Sequence, residues 1–145
     1  MLTTLRERGV PDLLYQTPAD LQQAVAFLDG MPRELDRVRE EQPAAVEEPW
    51  FHTRYAAALG QKHAALEKMG KGETPEADKV RAEAKAHIEQ ARKTGASLVF
   101  LQLLMDPNHP SKAGQPPSER EDDLEGLYGR PGFRELLAPW PAPGA

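Results

Sequence analysis

Apolar residues recur at helical spacing through the first two thirds of the chain, and prolines and glycines divide this pattern into segments. The first predicted helix begins at Thr17–Pro18, where an N-cap residue precedes a proline in the first turn, and it ends at Gly30. A second helix begins at Pro32, with Leu35 and Val38 as its strong apolar positions. We therefore expect two N-terminal helices, of which the second is mostly exposed to solvent.

The next two segments predict a long antiparallel helical hairpin. One helix spans about Pro49 to Met69, the other begins at Thr74–Pro75, and the glycine-rich sequence between them forms the turn. In the second helix, residues alternate at spacings of four and three in an unbroken heptad pattern: Val80, Ala84, His87, Ala91, Thr94, Leu98, Leu101 and Met105. The pattern predicts one helix through Gly95 that overhangs its partner, and another part of the protein must cover the overhang.

An alternative interpretation ends the second hairpin helix at Gly95 and makes residues 97–104, SLVFLQLL, a buried strand. A strand needs a partner strand, and the sequence contains no second β-like run. The helix is therefore favoured, and the predicted fold class is all-α.

The composition changes after Asp106, because eight of the fourteen prolines follow this residue. Ser118 and Glu121 form a capping box that predicts a short acidic helix up to Leu127, and the sequence FRELLA predicts a two-turn helix before Pro139. We therefore divide the chain into a helical domain, 1–106, and a Pro-rich linker with a C-terminal docking arm, 107–145. The last residues are expected to be extended.

The arm carries Phe133, Leu137 and Trp140 at spacings of four and three, which is the anchor pattern of a short helix in a groove. Aromatic anchors are typical of interface hot spots. The residues predicted to bind a partner are Tyr128, Phe133, Leu136, Leu137 and Trp140 of the arm, with Leu98, Leu101 and Met105 of the apolar helix end. The arm docks either on its own hairpin or on another subunit, and we prefer another subunit.

Charge and chemistry narrow the function further. The net charge is −5, and the lysines and arginines near the hairpin turn alternate with acidic residues, so nucleic acid is an unlikely partner. The chain has no cysteine, which excludes thiolate catalysis and cysteine-bound zinc. No stretch has the roughly 20 apolar residues of a membrane span. The N-terminal residues lack the apolar core of a signal peptide, so we expect a cytoplasmic protein or a component of a virion or other soluble assembly.

Histidines are the remaining candidates for a chemical site. His63 and Glu67 stand at i, i+4, and so do Glu83 and His87. If the hairpin turns near Gly72, His63 faces Arg81 on the opposite helix. His63 and His87 then lie roughly 9 Å apart along the hairpin axis, which is too far for both to bind one metal ion. We expect no metal, no cofactor and no enzymatic activity.

The sequence therefore predicts a non-enzymatic structural or adaptor subunit of a larger homo- or hetero-oligomeric assembly, such as a virion or another multi-subunit machine. The alternatives are a small helical subunit of a nucleic-acid-associated complex and a helical-bundle metal-binding protein.

Overall fold

A computed structural model describes residues 18–112, 114–115 and 122–140, and this part of the chain is helical without strands, as the sequence predicts. The α-helices are α1 Pro18–Glu41, α2 Pro49–Lys68, α3 Pro75–Lys93, α4 Leu98–Met105 and α5 Phe133–Leu136. Short 3₁₀ helices lie at Pro43–Glu47, Pro110–Lys112 and Glu125–Leu127. None of the described helices is both long and apolar enough to cross a membrane.

The predicted break between the first two helices is wrong, because α1 continues through Gly30 and Pro32 as one helix. Leu28, Met31 and Leu35 are buried at helical spacing on both sides of the proline. Burying each large side chain contributes about 1.5–3 kcal/mol, which together outweighs the ~3 kcal/mol cost of an internal proline. The predicted N-cap at residue 17 lies outside the described residues.

The predicted hairpin is present, with α2 and α3 as its arms. Gly70 adopts a left-handed φ of 76°, and the Lys71 N–H donates to the carbonyl of Leu66 at 2.8 Å, which closes α2. Thr74 caps α3, since its hydroxyl accepts a hydrogen bond from the Ala77 N–H at 3.3 Å.

The unbroken helix through Gly95 is wrong, and so is the alternative strand. Gly95 takes a φ of 104°, and the Ala96 N–H donates to the carbonyl of Ala91 at 2.9 Å, which ends α3. The Ser97 hydroxyl then accepts from the Phe100 N–H at 3.2 Å and starts α4. The apolar segment therefore forms a separate helix, one face of which is buried, instead of extending α3 as an overhang.

The arm packs against α2 and α4 and returns to α3. The Leu124 N–H donates to the carbonyl of Leu104 at 3.1 Å, and α5 has one turn where two are predicted. The predicted capping box at Ser118 and Glu121 and the extended end 141–145 lie outside the described residues. The division into 1–106 and 107–145 stays a prediction.

Candidate interaction surfaces

The large hydrophobic side chains that remain exposed in the described part of the chain are Trp50, Val99 and Phe100. Trp50 lies in the first turn of α2, and the other two lie in the first turn of α4. His52 contacts His87 across the hairpin at 3.1 Å, so the start of α2 lies beside the last turns of α3, which α4 follows. All three side chains are therefore at one end of the bundle, which we call the apolar end.

The exposure at the apolar end follows from the sequence of α4. Leu101, Leu104 and Met105 are buried in the core, whereas Val99 is 68% exposed and Phe100 is 42% exposed. A helix that is apolar on all sides needs cover on all sides, but the rest of the described chain covers one side. The remaining face keeps apolar area in contact with water, an arrangement typical of a binding surface.

A cation stands next to the apolar end. The Cζ atom of Arg54 lies 5.4 Å from the centroid of the Trp50 ring, and Phe51 meets that ring edge-on at 6.0 Å. The Arg54 guanidinium makes no hydrogen bond or ion pair with the described residues. Stacking therefore holds the cation in place while its donors stay available to a partner.

Half of the eight predicted partner-binding residues of the arm and of α4 lie inside the chain's own core. Phe133, Leu137, Leu101 and Met105 are buried. In the single chain the arm thus docks on its own helices, which was the less preferred alternative. Leu98, Tyr128, Leu136 and Trp140 are half-buried and keep surface that a partner can reach. Whether a partner binds them stays a prediction.

Two polar side chains fix the end of the arm by holding its backbone carbonyls. Arg92 of α3 donates to the carbonyls of Leu136 and Ala138. Gln102 of α4 donates to the carbonyls of Leu137 at 2.7 Å and Pro139 at 2.8 Å. The backbone of residues 136–139 is therefore tied to both helices through its main-chain atoms.

An ionic network joins the arm to the hairpin turn. Arg81 donates to His63 Nε2 at 2.9 Å, as the hairpin register predicts, and His63 Nδ1 lies 3.2 Å from a carboxylate oxygen of Glu67. Arg130 of the arm bonds Glu67 at 3.1 Å and Glu73 at 2.8 Å. Burial lowers the pKa of His63 despite the nearby Glu67 carboxylate. A neutral His63 that accepts at Nε2 carries its proton on Nδ1, facing Glu67.

Several cations near the turn are paired with carboxylates. Lys62 lies 2.7 Å from Asp29, and Lys79 lies 4.0 Å from Glu83. Arg81 is bound to Asp78. Such pairing is typical of a solvated ionic surface, so the geometry gives no support to a phosphate-binding face.

A partly buried histidine pair joins the two helices of the hairpin, and the neighbouring Tyr55 connects it to α1. His52 Nε2 donates to the Val46 carbonyl at 2.7 Å, so a neutral His52 accepts at Nδ1 from the Nδ1–H of His87 at 3.1 Å. The ring of Tyr55 stacks on His87 at 3.9 Å, and its hydroxyl donates to Asp36 at 3.2 Å. Burial first, and the Asp36 carboxylate second, raise the pKa of Tyr55 to about 12.

Sequence reasoning missed this pair because the assumed hairpin register places His87 opposite residue 57 and leaves His52 too far from the other histidines. The aromatic run from Phe51 to Tyr55, at the same level as His87, is the signal that could have identified it. In the described ranges, no three His, Cys, Asp or Glu side chains are grouped so that they could hold a metal ion.

Comparison with protein-family models, with curated proteins and with solved structures found no match to this chain.

Sequence reasoning also missed the exposed members of the interaction surface. The residues that it selected in α4 and the arm are all buried or half-buried, because apolar spacing identifies core positions. The exposed face could have been found from Val99 and Phe100, which fall between the heptad positions, and from Trp50 and Arg54, which stand at i, i+4.

Proposed function

We propose that this chain is a non-enzymatic subunit or adaptor of a larger protein assembly and that it binds a protein partner through the apolar end. The observation that carries the proposal is the concentration of Trp50, Val99 and Phe100 at one end of the bundle, with Arg54 stacked beside them. Trp and Arg are enriched at interface hot spots, and large aromatic side chains supply much of the contact area there.

The energetics favour a covered apolar end. Apolar area removed from water contributes roughly 25 cal/mol per Å², so covering two aromatic rings and a valine yields several kcal/mol. Arg54 adds a charged hydrogen-bond donor at the edge of the apolar end. Its guanidinium is partly hydrated there and can bind a carboxylate or a carbonyl group of a partner. A partner segment with apolar residues and one acceptor beside them fits this surface.

The titratable groups with displaced pKa values have structural roles that explain them. His63 lies in the ionic network at the turn, while His87 and Tyr55 stack on each other in the core. Perturbed pKa values also arise in structural networks, so they do not by themselves indicate catalysis.

The double substitution Val99→Ser and Phe100→Ser is expected to weaken partner binding at least tenfold and to leave the fold intact, because both side chains are exposed. Sedimentation equilibrium of the purified chain measures self-association. If the partner is another protein, a photoreactive amino acid placed at position 99 should crosslink to it in the cells that express the chain. The control carries the same photoreactive amino acid at position 89, where Glu89 lies on the exposed surface of α3.

Any captured protein is then purified, and its affinity for both forms of the chain is measured. Lys71→Ser, an exposed position at the opposite end of the hairpin, is the control and should bind like the wild-type chain. A monomeric chain that gives no position-specific crosslink, or a double variant with unchanged affinity, would contradict the proposal.

A further inference from the structure

Arg134 of the arm is held by two aromatic rings, and none of its hydrogen-bond donors is used by the part of the chain that the structure describes. Its Cζ atom lies 4.9 Å from the centroid of the Tyr128 ring and 5.8 Å from that of Trp140. The two rings meet edge-on, 5.7 Å apart at 85°. Within the described ranges the guanidinium makes no hydrogen bond or ion pair. Stacking on ring faces leaves the in-plane N–H groups of an arginine free to bind a ligand.

The backbone around Arg134 is fixed from several directions. The indole Nε1–H of Trp140 donates to the carbonyl of Arg134 at 2.8 Å. The following residues, 136–139, are tied by Arg92 and Gln102 to two helices of the bundle. Both rings and the cation thus sit on an anchored loop, and a ligand would lose little free energy in ordering them.

A shallow pocket of about 220 Å³ opens beside the stacked cation. Its lining consists of Arg134, Glu135, Ala138 and Trp140, so it has an apolar floor, one cation and one carboxylate. The guanidinium can form a bidentate pair with a carboxylate, in which two N–H groups donate to the two oxygens. The apolar floor of the pocket can hold an aliphatic side chain beside that carboxylate. The Glu135 charge disfavours a phosphate dianion, which would be repelled more strongly than a carboxylate.

The local charge around the pocket is positive although the whole chain is acidic. Arg92 reaches the carbonyls of residues 136–139, and the Lys85 ammonium lies so close to Gly132 that a β-carbon there would be 3.0 Å from it. Together with Arg134 these three cations outnumber two carboxylates, those of Glu135 and of Glu89, which stands between Lys85 and Arg92 in α3. An acidic ligand is therefore complementary to this part of the arm.

We infer that the Arg134 pocket binds an acidic peptide segment of a partner protein. One carboxylate is bound by the guanidinium, and a neighbouring aliphatic side chain lies on Ala138 and Trp140. This site is separate from the apolar end. Binding at the Arg134 pocket and binding at the apolar end are therefore tested independently of each other.

The test is an NMR titration of the full chain with the peptide acetyl-Leu-Glu-Leu-Glu-amide. In a Trp50→Phe background the remaining indole N–H signal belongs to Trp140. The Nε–H signal of Arg134 is identified by its absence from the spectrum of Arg134→Gln and reports on the guanidinium. We expect saturable shifts of both signals. Replacing the peptide's glutamates with glutamines, or Arg134→Gln in the protein, should weaken binding about tenfold, because a charge-assisted hydrogen bond is lost.

The controls separate this site from general electrostatics and from the proposed function. Arg134→Lys should bind less well than the wild-type chain because lysine lacks the planar fork. Arg37→Gln removes a cation from α1 and should change nothing. The double substitution at Val99 and Phe100 should leave the titration unchanged even if it abolishes assembly.

Equal binding of the glutamine peptide, unchanged binding by Arg134→Gln, or no shift at millimolar peptide would overturn the inference. A phosphoserine peptide that binds more tightly than the glutamate peptide would reassign the pocket to phosphate. Shifts of the same two signals with protein concentration alone would identify a second copy as the occupant and would equally overturn the inference.

Discussion

Replacing Gly60 with alanine is expected to release the C-terminal arm from the bundle while α1, α2 and α3 remain folded. A β-carbon at this position would overlap the carbonyl oxygen of Asp123 and would lie 2.9 Å from Leu124 Cδ2. The first of these atoms is backbone, so it cannot move aside as the end of a flexible side chain can. The arm therefore lies against α2 only because Gly60 has no side chain.

The change in stability caused by Gly60→Ala is the sum of a gain in helix propensity and a loss of buried apolar surface. Alanine is about 1 kcal/mol better than glycine in a helix, which stabilises α2. Displacing the arm exposes Leu124 and Leu127, both fully buried, and each large apolar side chain contributes about 1.5–3 kcal/mol. The neighbouring bond from the Gln61 amide to the Asp123 carboxylate would be lost as well. The loss outweighs the gain, so we expect a net destabilisation of several kcal/mol that is confined to the docked arm.

Limited trypsin digestion measures this effect, because Arg134 lies in the arm and should become a rapid cleavage site in the variant, whereas Arg130 precedes a proline and is not cut. Hydrogen exchange of Leu124, whose N–H is bonded to α4, gives an independent readout. Gly30→Ala is the matched control: it is also a helical glycine, but a β-carbon there meets nothing within 4 Å. That variant should be slightly more stable. A Gly60→Ala chain as resistant to trypsin as the wild type would show that the arm is held elsewhere.

The parts of the fold that sequence predicted correctly are those with local signals. Thr74, Pro75 and Gly70 specify the ends of the hairpin helices through their own backbone chemistry, and these ends are where the sequence places them. The register that pairs His63 with Arg81 follows from helix geometry once the turn is known. Neither inference depends on distant residues.

The wrong predictions concern positions where tertiary packing decides between two local outcomes. Gly30 and Pro32 predicted a break in the helix, but α1 continues through both residues because the apolar side chains on either side of them are buried. The heptad pattern predicted that the helix continues through Gly95, yet Gly95 ends α3, and the apolar segment after it buries one face as a separate helix. The role of Gly60 has no sequence signature, since it depends on which backbone approaches α2.

The same limit applies to the candidate surfaces. Apolar spacing selected Phe133 and Leu137, which are the buried side of the arm. The exposed Arg134 was not selected, because its two aromatic neighbours come together only when residues 128 and 140 meet in space. An interaction surface consists of side chains that stay exposed after the core has formed, and the fold must be known before these side chains can be identified.

Lowering the pH from 7 to 5 is expected to destabilise the protein through His87. Burial is the largest cause that lowers the pKa of His87 to about 4, and the nearby His52 and Arg39 act in the same direction, whereas the Asp36 carboxylate opposes them. The unfolded chain binds this proton near its ordinary pKa of about 6.5. Between pH 6.5 and 4 the unfolded state therefore holds more protons than the folded state, and the free energy of unfolding falls as the pH falls.

The slope for one such group is at most about 1.4 kcal/mol per pH unit, and the partial exposure of His87 reduces it to roughly 1 kcal/mol per unit. The added proton goes to Nε2 of His87, so the Nδ1–H bond to His52 remains, and the loss of stability comes from placing a charge in a partly buried site. Urea unfolding at several pH values between 7 and 5 measures the slope. This range stays above the usual carboxylate titrations.

His87→Asn separates the histidine pair from other acid effects. The asparagine amide can still donate to His52, but it cannot titrate and it loses the stack on Tyr55. We therefore expect lower stability at pH 7 together with a flatter dependence on pH. A smaller slope should persist, because the pKa of His63 is also lowered. His109→Asn, in the loop after α4, is the matched control and should keep the wild-type slope. If the asparagine variant at position 87 loses as much stability between pH 7 and 5 as the wild-type chain does, the histidine pair does not govern the acid response, and His63 would become the group to substitute next.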